Sequence, residues 1–347
     1  MCSETTSRRR ILEAVGGATT IGLGGLAGCL SDFGDNSDDS EYPNQAIDLW
    51  IPYSEGGGID MSARALKPYL EDELGTSLAA QQVTGGGGGV AMERIFNETE
   101  SDGYTLSVMT TEFMYLMQKM FDFDYEPSEL TFIYQWASDP FLIAVNADSE
   151  WETVDDVIQA SQEEEIRWGQ VAMGGSDHLA MLRLREETDF QGRPVSFNGG
   201  GESSAALIGD RIEIDTPTLS TGWPRIDSGD IRPIAITAPS RDEYEPLQGV
   251  YSDVPTLPET GIIDDPIRTG TTRILVGPPD LPNSIVETVS TAMENASAVE
   301  EWQEQARNRR ELVDRRGAEG AKEFFESLVD EYEPWLDPLQ ESVNELQ

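Results

Sequence analysis

A short apolar stretch that ends in three glycines is the feature that most constrains what this chain can fold into. Residues 51–66 read IPYSEGGGIDMSARAL, where the glycines are followed by an Asp that opens a helical pattern. The pattern predicts a strand, a tight loop and the N-terminus of a helix. Glycines let backbone N–H groups approach a ligand closely, and the first turn of a helix carries unpaired donors and partial positive charge. The segment therefore predicts a site for an anion such as a carboxylate.

The helix after this loop is predicted by apolar residues that repeat at helical spacing from Ala63 to Leu74. Gly75 stands where such a helix would end. Asp60 stands just before the repeat, and an Asp after a glycine loop is a common N-cap. We therefore expect Asp60 to cap the helix, with direct contact to the ligand as the alternative.

Strand-like and helical segments alternate along the rest of the chain. Three more glycine loops follow strand-like segments, with glycines at 85–89, 174–175 and 199–201. This alternation favours an α/β fold with largely parallel sheets, in which ligands bind at the loops beyond the carboxyl ends of strands. We expect the four loops to converge on one site, the alternative being that each is only a tight turn. Residues 284–347 are predicted to be helical, with Trp302, Phe325 and Trp335 among their packing residues.

The glycine loops do not match the nucleotide-binding motifs. No Lys follows the glycines at 85–89, so the loop is not of the GxxxxGK[ST] type, and dinucleotide-binding spacing is missing as well. The sequence has one histidine, His178, and two cysteines, Cys2 and Cys29, which are too few soft ligands for a zinc or copper site. No Ser/His/Asp or Cys/His pair is evident by motif. We therefore expect no cofactor and no metal, and a structural more than a catalytic role for His178.

The composition is strongly acidic. Asp and Glu number 65 against 23 Lys and Arg, which gives a net charge of −42. Such a charge excludes nucleic acid as a partner. The acids are spread along the whole chain, and a surface that repels itself at low ionic strength indicates adaptation to high salt, where screening is nearly complete.

The first 28 residues are predicted to be an export signal. Residues 7–12 read SRRRIL, a twin-arginine pattern, and a mildly apolar segment leads to Leu26-Ala27-Gly28-Cys29, which resembles a lipobox. Cys29 would then carry the lipid, and the acidic, apolar-poor residues 29–41 would form a tether. A retained membrane span is the alternative, but the segment is only weakly hydrophobic. We expect an exported chain, anchored by lipid to the outer face of the cytoplasmic membrane.

From about Tyr42 onward the sequence resembles the substrate-binding proteins of tripartite tricarboxylate transporters, the Bug-type receptors, with a haloarchaeal-like composition. The strongest match is IPYSEGGGID with the following Ala63-Arg64, which is similar to the family's VPF-x-x-GGG-x-D-x-x-AR signature. Further segments resemble the family's motifs in the same order, namely the glycines at 85–89, DGYTL at 102–106, HL at 178–179, VSFNGG at 195–200, IAIT at 234–237 and DVPT at 253–256. Their collinear order is specific, although each motif alone is weak.

The resemblance implies a two-lobed type II periplasmic-binding (venus-flytrap) fold, with residues 42–142 and 266–347 in lobe 1 and residues 143–265 in lobe 2. It implies a monomeric receptor, not an enzyme, which captures a small organic acid between the lobes and delivers it to the membrane subunits of a transporter. The predicted ligand-binding residues are Tyr53, Ser54, Glu55, Gly56, Gly57, Gly58, Asp60, Gly87, Gln170, Gly174, Gly175, Ser176, His178, Gly199, Gly200 and Gly201.

Several alternatives stay open at this stage. The sequence does not separate a transport receptor from a sensor that reports to a signalling partner, and an exported hydrolase is a third reading. The chain departs from the family pattern at Gln170 and Gly175, where small hydroxyl residues are common, and at Asn198, where Lys is usual. Glu55 would repel a carboxylate if it faced the site, or would pair with the ammonium of an amino acid ligand. The identity of the ligand is not predicted.

Overall fold

The structure of the chain, a computed structural model, describes residues 42–197, 199–241, 247, 249, 251–263 and 268–346. The predicted signal peptide, the tether, Cys29 and Asn198 lie outside these residues. No helix of the described part is long and apolar enough to cross a membrane.

Strands and helices alternate over most of the described residues. The strands are β1 (Ile47–Ile51), β2 (Leu78–Gln82), β3 (Thr105–Met109), β4 (Thr131–Ser138), β5 (Leu142–Asn146), β6 (Ile166–Gln170), β7 (Gly192–Ser196), β8 (Ile214–Asp215), β9 (Ile231–Ile236), β10 (Arg273–Gly277) and β11 (Leu312–Gly317). The α-helices are α1 (Gly58–Leu74), α2 (Gly89–Glu98), α3 (Thr111–Met120), α4 (Val154–Ala160), α5 (Ser176–Glu187), α6 (Gly200–Ile208), α7 (Leu219–Asp227), α8 (Leu257–Thr260), α9 (Asn283–Ala298), α10 (Glu300–Asn308), α11 (Ala318–Tyr332) and α12 (Leu336–Glu345).

The strands form two mixed sheets, with the order β11-β4-β10-β3-β1-β2 in the first and β7-β6-β8-β5-β9 in the second. Only the pairs within β1–β3 and within β6–β8 are parallel. All pairs that include β4, β5, β9, β10 or β11 are antiparallel. The α/β prediction is confirmed, but the prediction of largely parallel sheets is wrong. The chain leaves the first sheet after β4 and returns to it before β10 at the same place, where Pro140 pairs with Gly270, so β10 runs antiparallel to β4. In the same way β5 enters the second sheet where β9 leaves it, and these two strands are antiparallel.

Most local elements form where the sequence predicts them. Helix α1 ends at Leu74, and Gly75 follows it in the left-handed conformation (φ 66°), which a glycine adopts without steric cost. The helical prediction for residues 284–347 is wrong over β11, which pairs antiparallel with β4. The aromatic residues Trp302 and Phe325 of this region are buried as predicted. Trp335 is partly buried against the hydrophobic cluster that contains Phe325.

The two sheets are joined by two chain crossings and by a packed helix. The crossings meet where Pro140 pairs with Gly270, and a Cβ at Gly270 would lie only 2.7 Å from the carbonyl oxygen of Asp139. A side chain at position 270 would therefore force the crossings apart. Helix α12 provides the third contact, because Leu339 shares a core cluster with Leu179 of α5.

Candidate functional site

Helix α1 begins directly at the first glycine loop. It starts at Gly58, and Gly57 occupies the N-cap position in an extended conformation that a glycine adopts readily. The prediction that Asp60 caps this helix is therefore wrong, since Asp60 lies inside the first turn. The N–H groups of Gly58, Ile59 and Asp60 have no acceptor within the helix, because they belong to its first turn. These donors, together with the positive end of the helix dipole, favour an anion at this point.

Asp60 holds the shape of the first loop. Its carboxylate accepts the backbone N–H of Gly56 at 2.9 Å and side-chain donors of Arg64 and Gln82, each at 2.7 Å. The residue is 1% exposed. Since both carboxylate oxygens already accept hydrogen bonds from the protein, Asp60 positions the loop backbone.

The tip of the loop is a tight turn that leaves Glu55 in solvent. The N–H of Gly57 donates to the carbonyl oxygen of Ser54 at 3.1 Å, and Gly56 has a φ of 77°. Ser54, Glu55 and Gly56 are all exposed. Water therefore solvates the charge of Glu55, which weakens both its repulsion of a carboxylate and its use as a partner for an ammonium group.

Tyr53 connects the first loop to the start of α3. Its hydroxyl lies 3.3 Å from Oγ1 of Thr110 and 3.2 Å from Sδ of Met109. Burial raises the pKa of Tyr53, so the phenol is neutral at all ordinary pH values. Thr110 is the N-cap of α3 and accepts the N–H of Phe113. We did not predict Thr110 from the sequence, although a Thr between a buried strand and an apolar helix is a recognised cap signal.

The five-glycine loop is ordered by packing against large side chains. Residues 86–88 form one 3-10 turn that leads into α2, and each of these three glycines has a positive φ. A Cβ at Gly87 would lie 2.6 Å from Sδ of Met117, and one at Gly88 would lie 2.7 Å from Cε of Met109. Methionine side chains therefore occupy the space of a side chain at Gly87 and Gly88, and the Tyr53 hydroxyl lies 3.3 Å from the same Cβ position at Gly88.

The glycine loop between β6 and α5 packs against α3 of the first sheet. A Cβ at Gly174 would lie 2.8 Å from Cγ of Met120, and one at Gly175 would lie 2.8 Å from Cε1 of Phe113. Ser176, the first residue of α5, donates its hydroxyl to the carbonyl oxygen of Gly270 at 2.7 Å. This loop is therefore fastened both to α3 and to the returning chain crossing.

His178 is fully buried and fixes this loop from behind. The N–H of Gly174 donates to its Nδ1 at 3.1 Å, and its Nε2 lies 3.0 Å from Oγ of Ser342 in α12. Burial lowers the pKa of His178 to about 4. Its neighbour Asp177 accepts the N–H of Val171 at 2.5 Å, and burial raises the pKa of Asp177 to about 6. Both ring nitrogens of His178 have protein partners, so His178 holds the loop in place.

Two further predicted contacts lie at the ends of β6 and β7. Gln170 is 1% exposed and donates its amide N–H to Oγ of Ser196 at 2.9 Å, while its Oε1 is buried without a hydrogen-bond partner among the described residues. Gly199 is the N-cap of α6, and among the described residues no atom beyond the chain neighbours lies within 4 Å of the positions that Cβ atoms would occupy at Gly199, Gly200 and Gly201. The fourth glycine loop thus faces open space, unlike Gly58, Gly88 and Gly175 of the other three loops.

Helix α7 of the second sheet reaches the first glycine loop and was not predicted as part of the site. A Cβ at Gly58 would lie 3.1 Å from Cγ2 of Thr221 and 4.0 Å from Oγ of Ser220. Thr218 caps α7 through a capping box with Thr221. The sequence signal was the T-x-x-T spacing, which is weaker than a Ser or Thr followed by Glu three residues later.

A buried ion pair lies beneath these loops. Nη2 of Arg273 donates to Asp139 at 3.0 Å, and a Cβ at Gly58 would lie 3.5 Å from the same nitrogen. Both residues of the pair are at most 1% exposed. Burial raises the pKa of Asp139 in spite of the adjacent guanidinium. Nη1 of Arg273 donates to Thr271 and Nη2 to Asp139, while Nε lies 3.5 Å from a carboxylate oxygen of Glu311 without a hydrogen-bond partner among the described residues. The guanidinium therefore supports the loops from below.

The helices that follow the parallel strands therefore begin at one place. Helices α1, α2 and α3 start at the carboxyl ends of the first sheet, and α5, α6 and α7 start at those of the second. The loops of the two sheets contact one another through Gly58 with Thr221 and through Gly175 with Phe113. Backbone donors and positive helix ends suit a carboxylate. The described residues contain no group of three or more His, Cys, Asp or Glu placed to hold a metal ion.

A family model described as the tripartite tricarboxylate transporter family receptor matches residues 62–314. The match covers well over half of the sequence. The chain belongs to this family. The prediction that the chain is a solute receptor and not an enzyme is thereby confirmed.

Known relatives and solved structures agree with this membership. The UPF0065 protein in the gbd 5′ region of Cupriavidus necator is 26% identical over 260 residues, which cover 74% of this chain and 75% of that protein. BugT of Bordetella pertussis is 25% identical over 225 residues, which cover 63% of this chain and 67% of BugT. These relatives are bacterial, so they support the family and not the haloarchaeal-like part of the resemblance.

Solved structures of similar proteins match most of the chain. The periplasmic binding protein BugD aligns with a TM-score of 0.74 and 19% identity, over 87% of this chain and 98% of BugD. MatC from Rhodopseudomonas palustris, solved with bound malate, aligns with a TM-score of 0.72 and 21% identity, over 86% of this chain and all of MatC. A second R. palustris protein, solved with adipate, aligns with a TM-score of 0.73 and 22% identity, over 88% of this chain and 99% of that one. These matches confirm the periplasmic-binding-protein fold.

Proposed function

We propose that this chain is the extracytoplasmic receptor of a tripartite tricarboxylate transporter and binds a small dicarboxylate between two lobes. Lobe 1 comprises residues 42–142 and 266–347, and lobe 2 comprises residues 143–265. The observation that carries the proposal is the meeting of helix N-termini from both sheets at the contact between Gly58 and Thr221. Malate and adipate in two structurally similar proteins support the choice of ligand class.

One carboxylate of the ligand would be held by the first loop. The contacts proposed there are the backbone of residues 53–58 and the hydroxyl of Tyr53, with Thr110 beside it. Residues 174–176 and 199–201 would contribute the contacts from lobe 2, where the open space around residues 199–201 leaves room for the rest of the ligand. Asp60, Gly87 and His178 would act by shaping these loops, because their own groups are engaged by the protein.

Backbone donors are a suitable means of anion selection in so acidic a protein. They carry no net charge, so they need no carboxylate nearby to balance them, and they keep their geometry when salt screens the surface charges. Screening of the net charge of −42 would also remove the long-range repulsion of an anionic ligand. The composition supports the further proposal that the protein works at high salt.

Residues 1–28 would direct export, Cys29 would carry the lipid, and residues 29–41 would separate the receptor from the membrane. The basis is the sequence alone, with its twin-arginine and lipobox patterns. Substitution of Cys29 with Ala is expected to move the protein from the membrane fraction to the medium. Retention in the membrane fraction would show that another segment is the anchor.

A thermal-shift and calorimetric screen of the purified chain in molar salt tests the ligand class. The panel contains malate, succinate, adipate, citrate, an aromatic acid and several amino acids. A ligand at about a hundred times its dissociation constant adds about 2.7 kcal/mol to the free energy of unfolding. Stabilisation by dicarboxylates is expected. Stabilisation only by amino acids would move the proposal to an ammonium-bearing ligand, and stabilisation by none of the acids would refute it.

Sensing is the second candidate function, since a sensor would bind the same ligand in the same way. The family match favours transport. Uptake of the radiolabelled ligand by cells with and without the gene for this chain separates the two, because only a transport receptor is needed for uptake.

A further inference from the structure

Helix α7 lies in the second sheet's part of the chain but is fastened to the first sheet's part at two points. The first point is its N-terminus. The backbone N–H of Ser220 donates to Asp139 at 3.2 Å, and the Ser220 hydroxyl donates to the same carboxylate at 2.5 Å. Asp139 follows β4 of the first sheet and is held there by Arg273. A carboxylate that accepts two bonds from one residue fixes the direction of the helix as well as its position.

The second point is the middle of α7. The guanidinium of Arg310 lies over the ring of Trp223, with Cζ 4.4 Å from the ring centroid. Trp223 is braced by Tyr251, whose ring lies edge-on at 6.1 Å and whose hydroxyl donates to the carbonyl oxygen of Leu219 at 2.7 Å. Arg310 precedes β11 of the first sheet, so this contact also joins the two sheets.

Arg310 stands just after the C-terminus of α10. Its φ is 60°, and the N–H groups of Arg310 and Glu311 donate to the carbonyl oxygens of Arg307 and Ala306, each at 3.0 Å, which is the Schellman pattern of a helix end. The next apolar residue, Leu312, is buried in a cluster with Leu142 and Leu219 of the second sheet's part. The end of α10 and the apolar packing of Leu312 thus place the turn against α7, with the Arg310 side chain over Trp223.

Neither Ser220, Trp223 nor Arg310 belongs to the proposed ligand contacts, yet α7 carries Thr221 directly against Gly58. Both fastenings hold the arrangement in which the loops of the two sheets face each other, and the one at Ser220 lies beside the chain crossing, where the N–H of Leu219 also donates to the carbonyl oxygen of Pro140 at 3.1 Å. A ligand that contacts both sheets binds only that arrangement, and its apparent affinity scales with the fraction of molecules that adopt it.

We propose that α7 is a latch, and that Ser220 and Arg310 are positioning residues that set ligand affinity and release without touching the ligand. The effect on affinity rests on the proposed receptor function. The effect on the ligand-free molecule does not, because the latch acts between two parts of the chain.

Two substitutions weaken the latch, and two others that keep it serve as controls. Arg310→Asn removes the cation, and Asn tolerates the left-handed backbone at this position. Ser220→Ala removes the hydroxyl bond while Asp139 keeps Arg273. Ser228→Ala is the matched control at the other end of the same helix, where the Ser228 hydroxyl donates to the Arg225 carbonyl oxygen and to Asp230. Arg310→Lys keeps a cation over the ring and is the rescue variant.

The assays are small-angle scattering of the ligand-free chains and binding of malate and adipate by calorimetry and stopped flow. Arg310→Asn is expected to weaken affinity by up to about fivefold, as loss of a partly desolvated cation–π contact predicts. Ser220→Ala is expected to weaken it by up to about tenfold, since the acceptor is charged. Most of the change should appear in the dissociation rate. Both variants should have a larger ligand-free radius of gyration than Ser228→Ala, and Arg310→Lys should restore most of the wild-type behaviour.

The proposal is overturned if Arg310→Asn and Ser220→Ala match Ser228→Ala in both radius of gyration and affinity. If the wild-type chain binds neither acid, the proposed ligand class fails, and the ligand-free radii alone decide on the latch. Circular dichroism shows whether each variant is folded. If Arg310→Asn does not fold, a folded Ser220→Ala variant decides the question.

Discussion

Replacing His178 with Gln tests whether the loop between β6 and α5 depends on a neutral, buried imidazole. Nδ1 of His178 accepts the N–H of Gly174, so the ring proton must lie on Nε2, next to Oγ of Ser342. Gln can donate to Ser342 or accept from Gly174, but its single amide does not reproduce both bonds in the same geometry. We expect the substitution to destabilise the fold at neutral pH.

The magnitude depends on pH in a defined direction. Burial, with a smaller contribution from the charge of Arg185, lowers the pKa of His178 from 6.5 to about 4. Between these pH values the unfolded chain binds a proton that the folded chain does not. The free energy of unfolding therefore rises with pH in this window, by about 3 kcal/mol for the whole shift at about 1.4 kcal/mol per pKa unit.

The neighbouring Asp177 has the opposite effect, so the wild-type curve alone is not diagnostic. Burial raises the pKa of Asp177 to about 6. The unfolded carboxyl loses its proton at lower pH than the folded one, and this contribution to stability is therefore lost as the pH rises from about 4 to 6, by a similar ~3 kcal/mol. The difference between wild type and His178→Gln removes the Asp177 contribution, because both chains contain it.

Urea unfolding at constant molar salt, at half-unit steps from pH 4 to pH 7.5, measures this difference. The stability lost on substitution should be small near pH 4 and should grow by about 3 kcal/mol up to pH 6.5. Asp177→Asn serves as the control of opposite sign, since the stability of this variant relative to wild type should rise over the same window. A loss in His178→Gln that does not vary with pH, or that grows as the pH falls, would refute the assignment of a neutral imidazole.

Three further predictions concern the loops and the surface. Asp60→Asn should weaken ligand binding about tenfold, because hydrogen bonds to a charged acceptor contribute about 1.5 kcal/mol or more. Glu55→Gln should leave the affinity measured by calorimetry unchanged, and equal effects of the two substitutions would contradict the different exposure of the two carboxylates. Gly88→Ala should lower the free energy of unfolding by several kcal/mol, since a Cβ would lie 2.7 Å from Met109. Gly229→Ala, at a positive φ in open space, should lower it only by the backbone strain of about 1–2 kcal/mol. Similar urea midpoints for the two variants would argue against a clash at Gly88. Raising NaCl from low to molar concentration should increase the unfolding free energy by screening the net charge of −42, and a flat or falling dependence would count against high-salt adaptation.

Local sequence patterns were reliable wherever one short segment contains the whole signal. The apolar repeat from Ala63 to Leu74 and the following Gly75 predicted the body and the end of α1, because helical spacing and a left-handed glycine are both local features. The N-terminus of the same helix was predicted wrongly. Asp is a common capping residue, but the carboxylate of Asp60 accepts hydrogen bonds from Gln82 of β2 and from the loop instead. A hydrogen bond to a residue distant in sequence is not visible in local spacing.

The elements that were missed depend on partners far away in the chain. Strand β11 lies in a segment with helical spacing. It is extended because it pairs with the edge of β4, where Leu312 lies opposite Ser138, more than 170 residues earlier in the chain. Thr110 and Ser220 are placed by contacts that local spacing does not show. Thr110 lies beside the first glycine loop because β3 pairs with β1, whereas Ser220 lies near Gly58 because the chain crosses between the two sheets.

The sequence by itself determined the α/β class, the four glycine loops and the receptor family, since these follow from alternation, from residues without a side chain and from collinear motifs. Only the tertiary structure decided what each loop does. Gly87 and Gly88 are packed by methionines, the loop at Gly175 packs against Phe113, and the loop at Gly199 faces open space. The physical reason is that a glycine specifies only that a Cβ is absent. Whether the space of the missing side chain is filled or open depends on the other sheet and on helices distant in sequence.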